Sequence, residues 1–381
     1  MKPDSIKTPF YICEEKLLED NLKTLSYVRE QSGAKIILAL KGFAMHSTFE
    51  LVSKYLDGCT SSGLHEARLA REEFCKYNKD AEVHTYSPAF SDDDMPSIAK
   101  ISDHIVFNSP SQFYHHIEVV KKINPDAHIS LRINPEVSAS PKDIYNPCGI
   151  YSRLGTTLEN FDESILKHLD GLNFHALCEQ NVDALEEVLN SFEKNFSKYF
   201  KNLKYINFGG GHHITKKDYD LERLIKLIKD FRSKYNVEVY LEPGEAVGWE
   251  CGYLVSSVLD IVHNGMDIAI LDTSAEAHMP DTLAMPYRAE VRGAGEASEK
   301  QFTYRLGGNT CLAGDIMGDY SFDKPLKIGD KVIFEDQIHY TFVKNTTFNG
   351  IRLPSLVILR KNGNTEIIKE FGYEEYKRRL S

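Results

Sequence analysis

Short runs of β-branched and apolar residues alternate along the first two thirds of the chain with longer stretches whose apolar positions recur every three to four residues. The short runs fall at 35–40 (KIILAL), 58–61, 82–86, 104–107, 128–133 (HISLRI), 172–175, 205–208 and 237–241 (VEVYL), which predicts eight strands. Helical periodicity is clearest at 14–30, 64–74, 111–123, 182–200 and 221–235. Eight repeats of strand and helix predict an α/β fold of the TIM (β/α)8 type. Past Pro243 the texture changes. Extended runs at 253–263, 267–272, 288–292, 301–306, 331–335 and 356–360 follow one another with few helical patterns between them. The expected organisation is therefore a barrel over 14–250 and a C-terminal β-rich domain over 251–381, with an N-terminal strand at 8–13 as a candidate to join the latter.

Two domains also suit the length. At 381 residues the chain exceeds the roughly 250 to 300 at which a single core stops growing. Apolar residues make up 42% and charged residues 27%, an ordinary globular balance. A formal charge of −11 opposes nucleic acid and anionic membranes as partners, and it favours a cationic small molecule. The N-terminal segment has no signal-peptide pattern, and nowhere do about 18 apolar residues run together, so a cytoplasmic location is expected. Seven scattered cysteines without a C-x-x-C pair argue against a disulfide framework and against a thiolate metal site, and no metal is expected.

Candidate chemistry collects where the barrel strands end, the place where this fold keeps its reactive groups. Lys41 closes an apolar run, so its ammonium must find a partner, reach water along its stem or lose its charge; a Schiff base is one neutralising use. Arg132 ends the fifth run and His175 the sixth. Gly209, Gly210 and Gly211 follow the seventh, where bare backbone N–H groups can cradle a phosphate or simply make a tight turn. Glu242 ends the eighth, ahead of a Pro-Gly turn, and a carboxylate there can pair with a protonated ring nitrogen.

Taken in order, Lys41, His175, the Gly triplet and the EPG of Glu242 resemble the alanine racemase and ornithine decarboxylase group of pyridoxal-phosphate enzymes. LRINPEV and SRLG resemble its diaminopimelate and ornithine decarboxylase branch. ILALKGFA, CTSSGLHEARLA, NFHALCE, FGGGHHIT, EPGEA, LDTSAEAHMPDTLAMPYR and LGGNTCLAGD together resemble the carboxynorspermidine/carboxyspermidine decarboxylase family. The resemblance implies pyridoxal 5'-phosphate on Lys41, His175 against its ring, Glu242 at its ring nitrogen, and Arg132 and Tyr340 among its contacts. It further implies Cys311 as general acid, Asp315 as a second group of the same loop, and a homodimer that shares its active sites. The implied substrate is a cationic carboxypolyamine, met by Asp272; Glu276 and Asp281 are candidates from charge and placement alone. Glu245 stands where relatives carry a phosphate-contacting arginine, Cys178 where a serine often follows the histidine, and the AHMPD segment has no ornithine-type counterpart. Competing readings are a decarboxylase of a simpler basic amino acid, a non-catalytic pyridoxal-phosphate-binding protein, and a metal-dependent hydrolase using His175, His212 and His213. The last lacks a metal-ligand spacing.

Overall fold

The computed structural model describes residues 5–137, 140 and 143–381. The chain divides into two compact units, one of Glu19–Val247 and one of Met1–Leu18 with Gly248–Ser381.

The first unit is the expected barrel, closed by eight parallel strands: Lys35–Ala39, Gly58–Ser61, Glu82–Tyr86, His104–Phe107, His128–Arg132, Gly171–Asn173, Tyr205–Asn207 and Glu238–Leu241. The first strand pairs with the eighth as well as the second, which leaves no open edge. Helices cover it with one apolar stripe each. In Leu221–Tyr235 the buried positions are Leu224, Ile225, Ile228 and Phe231, Asp220 caps the first turn, and Asn236 ends the helix in the left-handed conformation. The helix expected at 64–74 is one turn of α-helix, Leu64–Leu69, continued by a π-helical turn, Ala70–Phe74.

Three aspartates stitch the strands together in pairs at the barrel's N-terminal end. Asp57, Asp103 and Asp170 each stand just before an even-numbered strand. Each carboxylate accepts the N–H of the second residue of the preceding strand, from Ile36, Val83 and Ile129 at 2.8 to 2.9 Å. Each aspartate also returns its own N–H to that residue's carbonyl. A cation neutralises each one: Arg29 on Asp57, Arg71 on Asp103 and Lys204 on Asp170.

The interior at this end is polar where branched aliphatic residues usually fill a barrel. His84 and His104 stack with ring centroids 3.8 Å apart. Glu82 accepts from Lys35, from the Tyr240 hydroxyl at 2.9 Å and from His84 at 3.1 Å. Desolvation pushes the Glu82 carboxyl up, but His84 and Lys35 outweigh it and hold the group well below the usual carboxylate range, and burial holds His104 neutral.

The second unit is a mixed sheet built on the 12-residue strand Gly252–His263. In order, the strands run Ile316–Phe322, Phe302–Gly307, Asp267–Leu271, Gly252–His263, Phe10–Glu14, Ser355–Leu359 and Thr365–Lys369, with Lys331–Glu335 also paired to Gly252–His263. One expected strand is absent. Residues 288–292 make a single bridge, from Val291 to Phe334, and Arg288 lies with its guanidinium 4.1 Å from the Tyr320 ring centroid. Two strands went unread: Ile316–Phe322 is interrupted by Gly318 and Asp319, and Thr365–Lys369 is a largely exposed edge without an apolar face.

Replacing Asp57 by Ala should cost about 1 to 3 kcal/mol, since it orphans the Ile36 N–H and unpairs Arg29. Chemical denaturation of the variant would measure this, and an unchanged stability would contradict the stitching role.

Candidate active site

The barrel's other end brings the strand-end residues together. Lys41 lies two residues past the first strand, and His175 two residues past the sixth, which stops at Asn173 instead of reaching 175. Lys41 Nζ is 3.3 Å from His175 Nε2. On its far side His175 Nδ1 accepts the N–H of Gly210 at 3.0 Å. That backbone donor fixes the ring's proton state. Nδ1 carries no hydrogen, so the neutral ring is protonated on Nε2 and points an N–H at Lys41. An ammonium there would set donor against donor, whereas a neutral amine accepts. Both ionisations lean the same way: burial, then Arg132, pushes the Lys41 amine down, and burial, then Lys41, pushes His175 well below the usual imidazole range.

Arg132, buried within the fifth strand, donates to the His175 carbonyl at 3.2 Å and lies over the Tyr86 ring, 4.6 Å from its centroid. Tyr86 in turn donates to Asn108, whose side chain also receives the N–H of Gly155. On the eighth strand's end, Glu242 accepts from Asn207 Nδ2 at 2.8 Å. Asn207 Oδ1 receives the Gly209 N–H at 2.8 Å, so one side chain links the carboxylate to the glycine turn.

The glycines are required by space. A Cβ on Gly210 would sit 2.3 Å from the Glu242 carbonyl, and on Gly211, at φ 84°, 2.1 Å from the Leu177 carbonyl. Of the three N–H groups, those of Gly209 and Gly210 go to Asn207 and His175. The Gly211 N–H has no hydrogen bond among the described residues. Beside this turn, His213 and Glu245 approach to 3.4 Å.

The remaining candidates lie in the sheet unit. Asp272 accepts from Thr8 at 2.5 Å, Ser256 at 2.7 Å and the Ser257 N–H at 2.8 Å. Asp315 is buried and accepts from the N–H groups of Ala275, Glu276 and Thr310 and from the Thr310 hydroxyl. Asp281 pairs with Lys344 at 2.7 Å. Glu276, half-buried on the helix Ala275–His278, is the one of the four whose carboxylate meets no partner among the described residues. Cys311 is exposed, its N–H held by Asn349, and Tyr340 opens the helix Tyr340–Lys344.

A family model described as pyridoxal-dependent decarboxylase, C-terminal sheet domain, matches residues 10–337. The chain belongs to the pyridoxal-dependent decarboxylases. It is 54% identical to a carboxynorspermidine/carboxyspermidine decarboxylase of Campylobacter jejuni over 98% of each chain. It is 43% identical to a carboxyaminopropylagmatine decarboxylase of Synechocystis, over 99% of this chain and 96% of that one. A crystal structure of carboxynorspermidine decarboxylase complexed with norspermidine, from C. jejuni, matches with a TM-score of 0.91 at 52% identity, over 98% of this chain and 100% of that one. Diaminopimelate decarboxylase from Helicobacter pylori, at 17% identity and a TM-score of 0.82, shares the fold.

Sequence reasoning about this decarboxylase passed over Asn207, Tyr86 and the role of Asn108. Their signal was alternation: Asn207 is an inward position of its strand two residues before Gly209, and Tyr86 stands two past the inward His84.

The buried His175 refuses a proton that its unfolded counterpart takes up near 6.5. Below that pH the unfolded state binds more protons, so stability present above it is lost as the pH falls. Apo-protein denatured between about pH 5 and 7.5 should lose stability more steeply than its His175→Gln variant; parallel profiles would contradict the buried neutral ring.

Proposed function

We propose that this decarboxylase acts on carboxynorspermidine and carboxyspermidine, releasing carbon dioxide to leave norspermidine and spermidine, with pyridoxal 5'-phosphate as its cofactor. The observation that carries the reading is the buried amine of Lys41, held as an acceptor by His175, beside the carboxylate of Glu242. The donor set fits the cofactor. An unprotonated buried amine is a nucleophile for an aldehyde. Glu242, oriented by Asn207, offers a ring nitrogen its counter-charge, and the Gly211 N–H is free for a phosphate oxygen. Tyr340 and Arg132 are further proposed contacts. When bound, the cofactor supplies the electron sink that decarboxylation needs.

The chain's own residues divide the remaining work. Arg132 disfavours a proton on Lys41, and the Gly210 N–H holds His175 in the tautomer that faces it. Cys311 Sγ is the proposed proton donor to the carbon that loses carbon dioxide. A polyamine needs acidic partners, and Glu276 has its carboxylate free. Asp315 then works through it, by holding the N–H groups of Ala275 and Glu276, while Asp272 and Asp281 shape the same segment. A homodimer, with Cys311 and Asp315 completing the second copy's site, and a cytoplasmic location belong to the same proposal. Among the described residues no helix is long and apolar enough to cross a membrane, and none of the seven cysteines forms a disulfide.

The Synechocystis relative raises a second reading, carboxyaminopropylagmatine, whose guanidinium a lone carboxylate such as Glu276 can receive through two hydrogen bonds. Carbon dioxide release from carboxynorspermidine, carboxyspermidine, carboxyaminopropylagmatine, ornithine, lysine and diaminopimelate separates the readings. The two carboxypolyamines differ by one methylene, worth roughly 10 to 200-fold, and both should turn over. Faster turnover of ornithine or diaminopimelate would sink the assignment. Lys41→Ala should abolish cofactor absorbance and lower kcat at least ~1,000-fold. In Glu276→Gln, KM for the polyamine should rise about 10-fold or more with kcat little changed; an unchanged KM removes Glu276 from the substrate's path. Active enzyme that sediments as a monomer at assay concentration would end the dimer proposal.

A further inference from the structure

On the barrel's outer surface, the loop after the third strand approaches the middle of the helix Pro110–Ile123, and Asp92 on the loop meets His115 and His116 on the helix. His115 Nε2 is 2.7 Å from Asp92 Oδ1, and His116 Nδ1 is 3.8 Å from the same oxygen. The two imidazoles stand nearly at right angles with centroids 4.5 Å apart, and one ligand atom from each of the three residues lies within 4.8 Å of the others.

His116 decides what this group is for. Its side chain is 4% exposed, and its Nε2 lies 3.3 Å from the Phe90 carbonyl, which can only accept. Nε2 therefore carries the proton, and the neutral ring turns the lone pair of Nδ1 toward the Asp92 carboxylate. Two lone-pair bearers face each other across 3.8 Å. A proton between them would relieve this, but burial and the neighbouring His115 both disfavour an imidazolium at His116. A cation between them relieves it without protonating the ring. A carbonyl that fixes the far nitrogen is also the usual outer partner of a metal-bound histidine.

We propose that Asp92, His115 and His116 form a binding site for a divalent transition ion of the zinc type. Two imidazoles and a carboxylate are the donor set such an ion takes, with the fourth position left to water. Ligands of a tetrahedral zinc stand about 3.3 Å apart, between the two separations seen here, and the exposed His115 can rotate to close the set. The group Glu82, His84 and His104 differs, because Lys35 and Tyr240 already satisfy its carboxylate.

Calorimetric titration of tag-free holoenzyme with Zn2+ alone, near pH 7.5, tests the site. One ion per chain should bind with a Kd of about 10 µM or tighter and raise the melting temperature by several degrees. His116→Ala, Asp92→Asn and His115→Ala should each weaken binding at least ~10-fold; the last changes an exposed side chain, so its effect is independent of folding. Lowering the pH to about 5.5 should weaken wild-type binding as the imidazoles take up protons. Failure of wild type to bind at about 100 µM Zn2+, or equal affinity in all three variants, would overturn the assignment.

Discussion

The active end of the barrel depends on one hydrogen bond, from the Gly210 backbone to His175 Nδ1. It settles where the imidazole proton lies, and that proton settles the state of Lys41. A lysine buried without such an acceptor relationship would either keep its charge at a large desolvation cost or turn out toward solvent. Here the ring presents an N–H that a neutral amine can accept, and burial, then the like charge of Arg132, pushes the Lys41 amine toward that form. The glycine matters twice over, since a Cβ at 210 would strike the Glu242 carbonyl and push the N–H off the ring. The chemistry of the first strand's end is thus set by the backbone of the loop after the seventh.

Such placement needs strand ends that do not drift. The three aspartates at the opposite end fix strands one to two, three to four and five to six in register, each with a carboxylate, a backbone N–H and a neutralising cation. Between stitched floor and reactive mouth the interior is filled by histidines, tyrosines and Glu82 rather than by aliphatic layers. Hydrogen bonds in such an interior are directional and add rigidity that aliphatic packing does not. Here they run through Glu82, while His84 Nδ1 and His104 Nδ1 are buried without a hydrogen-bond partner among the described residues and the two rings are held by stacking. Glu82, with three donors, is the centre of that network.

Most of the barrel was legible because its strands are short, apolar and bounded by helices with one buried stripe, so that two periods alternate cleanly along the chain. The sheet unit was less so. A strand such as Ile316–Phe322 carries Gly and Asp at its middle and declares itself only through its pairing with Phe302–Gly307. Residues 288–292 have a strand's composition but make only one bridge, while Arg288 turns to the Tyr320 ring and Arg292 to Tyr253 and Glu335. Lys41, His175, Glu242 and the glycines could be picked out as strand-end residues; Asn207 could not, because its importance lies in joining two of them. The Asp92 group was illegible for a different reason. Its carboxylate lies on a separate element 23 residues before the adjacent histidines, too far for a short spacing to announce the set.

Charge alone is a poor guide to which acids meet a cationic substrate. In the sequence the resemblance pointed to Asp272 and Asp315, and charge and placement alone added Glu276 and Asp281. Hydrogen bonding separates them. Asp272 and Asp315 receive three and four neutral donors that occupy their lone pairs, and Asp281 has its charge met by Lys344. A substrate ammonium gains little from a carboxylate whose lone pairs are taken, and displacing those donors would leave buried N–H groups without acceptors, at about 1 to 3 kcal/mol each. Glu276 carries no such burden, and its backbone N–H is held by Asp315. Of these four carboxylates Glu276 alone is left without a partner among the described residues, which under the proposed function makes it the one to receive a cationic substrate.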